Sequence, residues 1–119
     1  MASRITELVL DCTDPERLAA FWCDVLGYSV LDRDEDWVEI GLPDRRMTLL
    51  FSHSTDVKLQ KLRLHIDVSA TDRDQDAELE RLLALGAKPV DMGQEDVSWH
   101  LLADPEGNEF CLLRTRVDP

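Results

Sequence analysis

Thr-Asp recurs at 13–14 and 71–72 and Leu-Gly at 26–27 and 85–86, so one order of elements is written twice along 119 residues. An internal repeat of this length constrains the fold more than any single motif, because each copy must be one supersecondary unit. The first copy opens with Ile5–Asp11, an alternating, β-branched run that predicts a strand. Asp14 is placed to cap a helix that Pro15 begins; Leu18, Phe21, Trp22, Val25 and Leu26 form one face, and Gly27 supplies the stop. Short strands are expected at Tyr28–Leu31, Trp37–Gly41 and Met47–His53, with turns at Asp32–Asp36 and Pro43–Arg46.

The second copy repeats the order. Leu62–Val68 predicts a strand, Thr71-Asp72 a helix cap, and Ala77, Leu79, Leu82, Leu83 and Leu85 an apolar face that Gly86 ends. Lys88–Asp91, Ser98–Ala103 and Glu109–Leu113 are the expected strands, the last two joined by the turn sequence Asp104-Pro105-Glu106-Gly107-Asn108. A shift of 58 residues lays Glu7 on His65 and Asp14 on Asp72. The expectation is an α+β protein of two βαβββ modules, residues 1–59 and 60–119, within one domain.

Charge narrows the function classes. With 13 Lys and Arg against 25 Asp and Glu, the formal net charge of −12 opposes a nucleic-acid backbone or an anionic membrane as partner. The longest apolar run, Leu18–Cys23, is far short of the roughly 20 residues that span a bilayer. The N-terminus lacks the apolar segment of a secretory signal, and three cysteines without paired spacing suit reduced thiols, so a cytoplasmic protein is expected.

Leu10–Trp22, Leu26-Gly27-Tyr28 and Asp104–Leu113 together resemble the vicinal oxygen chelate superfamily, and within it the small glyoxalase-like branch. Bleomycin-resistance proteins and extradiol dioxygenases are its wider relatives. The resemblance spans residues 5–114 and implies two βαβββ modules whose sheets curl into an open barrel around a concave cavity. It implies a small-molecule ligand or substrate and, for a chain this short, a homodimer. In catalytic members a divalent metal (zinc, nickel, manganese or iron) is held by side chains seven residues before each helix-capping Asp and seven after the Asp of the last turn. Carried onto this sequence, those positions are Glu7, His65 and Cys111, a thiol standing where a carboxylate is usual. Glu7 is the implied ligand or catalytic base.

The residues themselves leave alternatives open. Cys111, between Phe110 and Leu112, also suits core packing. His65 suits a satisfied imidazole as well as a ligand. Glu7 sits in an apolar strand and either faces solvent or lines a wet cavity, since burial without a partner is costly. Trp37, Phe51 and Trp99 lie on expected strands and wall a ligand site only where strand parity turns them to the concave side; His53 and His100 mark it on the same condition. Trp22 is assigned to the core. No phosphate loop, Cys-x-x-Cys pair or serine elbow occurs, and Asp32–Asp36 reads as a solvated turn. Two function classes follow: a metal-assisted lyase, isomerase or ring-opening enzyme, and a protein that binds a small organic molecule without chemistry. A dimeric regulatory module is a third, blander reading.

Overall fold

The computed structural model describes residues 2–90 and 99–119. These divide into two compact units, Met1–Val57 and Lys58–Pro119, each with the βαβββ order. The first unit contains β1 (Glu7–Cys12), α1 (Pro15–Leu26), β2 (Ser29–Arg33), β3 (Trp37–Gly41) and β4 (Thr48–His53). The second contains β5 (Ile66–Val68), α2 (Gln75–Leu85), β6 (Lys88–Pro89), β7 (His100–Ala103) and β8 (Glu109–Leu112). Each forms a four-stranded sheet, ordered β1-β4-β3-β2 in one and β5-β8-β7-β6 in the other. The first and last strands of each module pair in parallel and the remaining neighbours are antiparallel. The repeat in sequence is therefore a repeat of topology.

In the first unit the Asp14 carboxylate accepts the Arg17 N–H at 3.1 Å, Pro15 occupies the first turn, and Gly27 ends α1 at φ 70°, a left-handed cap that favours glycine. Helix α1 packs on β3 and β4 and buries Leu18, Ala19, Phe21, Trp22 and Val25. The sheet answers with Cys12, Val38, Ile40, Leu49 and Phe51, all buried.

The second unit departs from expectation at two points. Helix α2 is capped by Asp74, not by Thr71-Asp72: the Asp74 carboxylate accepts the Ala77 N–H at 2.9 Å, while Asp72 is engaged by the Arg73 guanidinium. Starting later, α2 buries Leu82 and Glu78, and the expected face residues Ala77 and Leu83 are exposed. The strand expected at Leu62–Val68 shortens to Ile66–Val68, because the Leu62 N–H turns to the Glu109 carboxylate and its carbonyl to the His65 ring. The Asp104–Asn108 turn forms as expected, with the buried Asp104 carboxylate accepting the Glu106 and Asn108 N–H groups and the Asn108 side-chain amide. Expected strand ends Asp91 and Ser98 lie outside the described residues. No helix among the described residues is long and apolar enough to cross a membrane.

Candidate functional site

Register decides which side chains share a face, because paired residues point the same way and neighbours along a strand point oppositely. In the first sheet Glu7, Val9 and Asp11 pair with Thr48, Leu50 and Ser52, and Trp37 and Glu39 pair with Ser52 and Leu50. All of these stand on the face opposite α1. The face is open: Val9 is 56% exposed, and Glu7 and Asp11 are exposed with it. Glu7 and Trp37 thus lie on one surface, as a ligand wall requires.

Phe51 does not. It pairs with Leu10 and Val38 under α1 and is 0% exposed, so the expected aromatic wall at Phe51 is corrected to core packing. His53 pairs with Cys12 and shares Phe51's parity, and His100 pairs with Leu112 on the buried side of the second sheet. Neither histidine marks the ligand face.

A polar group unforeseen in the sequence is anchored on the first open face. The Glu39 carboxylate accepts the Thr48 hydroxyl at 2.9 Å and the Arg45 guanidinium at 3.2 Å. Arg45 also donates to the Leu31 carbonyl from a backbone at φ 54°, a left-handed conformation uncommon outside glycine. Gly41 makes room beside them, since a Cβ there would meet Thr48 and Leu31 side-chain carbons at 3.0 Å. Glu39 is two residues beyond Trp37, and strand alternation alone is the signal that joins them.

In the second sheet Cys111 pairs with Asp67 on one side and Leu101 on the other, while Glu109 pairs with Ala103, so these side chains share the face opposite Phe110 and Leu112. Cys111 is buried at 8% exposure. Burial pushes its thiol up, and the Asp67 charge and a hydrogen bond to that carboxylate push it further, against a smaller opposing effect of Lys61. Glu109 accepts the Lys58 ammonium at 2.8 Å and the Leu62 N–H at 3.4 Å. Burial disfavours its charge, but these bonds outweigh burial and hold the carboxyl below its ordinary value. His65 is exposed one residue before β5, with Nε2 3.1 Å from the Leu62 carbonyl. A carbonyl only accepts, so Nε2 is the donor in this contact. Trp99, one residue before β7, is 37% exposed.

The three implied metal positions are thus divided. Glu7 belongs to the first unit, His65 and Cys111 to the second, and among the described residues no three His, Cys, Asp or Glu side chains are grouped to hold a metal ion. The donor chemistry fits a hard divalent ion poorly: a protonated thiol replaces an oxygen, and the carboxylate on the same strand face is engaged by an ammonium.

Comparison with known proteins bears on this fold. No curated protein sequence matches. A FosX fosfomycin resistance protein from Listeria monocytogenes, an E126Q mutant complexed with Mn(II) and 1S,2S-dihydroxypropylphosphonic acid, is similar with a TM-score of 0.76 and 15% identity, over 98% of this chain and 96% of that one. FosX from Mesorhizobium loti gives 0.71 and 16%, over 97% and 95%. A glyoxalase/bleomycin resistance protein/dioxygenase family enzyme from Burkholderia phytofirmans PsJN gives 0.68 and 15%, over 92% and 97%. At these identities the likeness shows the fold. The model of the glyoxalase-like domain matches residues 7–113, so the chain belongs to the glyoxalase-like domain family, within the vicinal oxygen chelate superfamily.

Proposed function

We propose that this protein binds a small organic molecule on the open face of its first sheet, with binding as its primary activity. The observation that carries the reading is the placement of Trp37, Val9 and Leu50 on one uncovered face with the carboxylates of Glu7, Asp11 and Glu39. Apolar contact area with a few fixed polar groups is the usual make-up of a ligand site. The indole supplies a flat wall, Glu39 is held in one geometry by Thr48 and Arg45, and Glu7 and Asp11 give the face negative charge. A net charge of −12 favours cationic or aromatic ligands over anions.

The second reading, a metal-dependent lyase, isomerase or dioxygenase-type enzyme, is favoured by one observation: Glu7 is exposed on that face, where a ligand or base would have to be. We place the protein in the cytoplasm, on its free thiols, and as a homodimer, on its family resemblance; light scattering checks the assembly.

The test is a thermal-shift and tryptophan-fluorescence screen of methylglyoxal–glutathione adducts, catechols, fosfomycin, bleomycin and aromatic antibiotics, with turnover followed alongside. Saturable binding that Trp37→Ala weakens, without product, supports the proposal. Turnover that needs both added metal and Glu7 supports the enzyme. Binding that Trp37→Ala and Glu7→Gln leave unchanged rejects this face as the site.

A further inference from the structure

We infer that the Asp67–Cys111 face of the second sheet holds no divalent metal ion, and that the Lys58 ammonium is its fixed positive charge. The reasons are geometric. A hard ion such as the Mn(II) of the Listeria FosX complex prefers several oxygen ligands. On β8 the ligand position carries the sulfur of Cys111, and the residue paired with it across the ladder is Asp67. The next oxygen donor on the same strand face is Glu109, two residues earlier, and each of its oxygens already accepts a hydrogen bond: Oε1 from the Lys58 ammonium at 2.8 Å and Oε2 from the Leu62 N–H at 3.4 Å.

His65 is tied to the same turn, its Nε2 donating to the Leu62 carbonyl. Leu62 therefore joins two would-be donors through its two backbone groups. Recruiting Glu109 to a metal would set the ion beside the Lys58 ammonium on one carboxylate. An ammonium and a divalent cation on one carboxylate would repel each other at close range. Sulfur is compatible with zinc, but zinc needs three or four ligands converging at 2.0–2.3 Å, about the tetrahedral distances; among the described residues no three such donors are grouped.

The consequence is that this face of the second sheet offers an organic ligand an ammonium and a thiol, not a metal ion. The inference stands apart from the binding proposal, because its readout is metal occupancy with no organic molecule present. Chelator-treated protein is titrated with Mn(II), followed by the electron paramagnetic resonance of the free ion, and with Zn(II), in competition with a chromophoric chelator. Circular dichroism checks that each variant is folded. At about 100 µM of protein and ion, no more than about one-tenth of either should be bound, which corresponds to millimolar affinity. Stoichiometric binding of either ion that is lost in His65→Ala or Cys111→Ser would overturn the inference. Binding that survives both substitutions lies away from these donors and agrees with it. Lys58→Met frees the Glu109 carboxylate, and Mn(II) occupancy should rise several-fold; unchanged occupancy in folded Lys58→Met would reject Lys58 as the charge that stands in the ion's place. If that variant does not fold, the wild-type titration decides alone.

Discussion

Cys111 and Asp67 face each other across the parallel ladder of β5 and β8, and the thiol keeps its proton because it is buried and because its partner is a carboxylate. Cys111 stands where the family resemblance places a metal-binding carboxylate, so a thiol replaces an oxygen ligand at that position of the second sheet.

Alkylation of Cys111 by iodoacetamide at pH 8 should be much slower than that of free cysteine, since the thiolate is the nucleophile and the thiol lies above its ordinary value of 9.0. Asp67→Asn removes the charge and should speed the reaction, as read by peptide mass spectrometry. Because the folded pKa is raised, the linked stability is full below the unfolded thiol's pKa and is lost as pH rises through the folded one. Alkylation of Cys111 at the rate of a free thiol would contradict the assignment.

Glu109 should show the opposite linkage. Its folded pKa is lowered, so its contribution is present above the ordinary value of 4.5 and is lost as pH falls through the folded value. Glu109→Ala leaves the Lys58 ammonium without its carboxylate and should cost about 1–3 kcal/mol near neutral pH, the usual range for a hydrogen bond to a charged group. The loss should shrink on acidification below the carboxylate range. Urea titrations at pH 7 and pH 3 measure it, and an equal cost at both would count against the pair.

Phe51 and Trp37 should separate stability from binding. Phe51→Ala opens a cavity under α1 and should cost about 3–5 kcal/mol. Trp37→Ala, on the open face, should cost less and should weaken ligand binding. Chemical denaturation ranks the two, and the reverse ranking would show that the parity is misassigned.

The two candidate caps of α2 make a sharp comparison. Asp74→Ala should cost about 1 kcal/mol, a typical cap value, and Asp72→Ala should leave stability close to that of wild type. Equal costs would mean that the helix starts elsewhere.

Much of this was legible in residue order. The first helix could be read from Asp14, Pro15 and Gly27 because cap, first turn and stop are each set by local chemistry. The second start was not, because Asp72 and Asp74 are equally good caps locally and the choice turns on Arg73, which engages Asp72. Phe51 and Trp37 looked alike as strand aromatics; only the ladder, a long-range property, sends one under α1 and the other to the open face. Glu109 was hidden for a related reason. Its partners Lys58 and Leu62 lie about fifty residues away, and no local pattern announces them.

The most direct test of the central claim is fluorine NMR of protein labelled with 5-fluorotryptophan. It has three reporters, Trp22, Trp37 and Trp99, of which Trp22 is 1% exposed beneath the first sheet and serves as the internal control. With saturating amounts of any compound that raises the melting temperature in the screen, and with chelator present, the Trp37 resonance should move and the Trp22 resonance should stay. A bound compound that leaves Trp37 unmoved, or moves it only after metal is added, would contradict a metal-free ligand site on the open face of the first sheet.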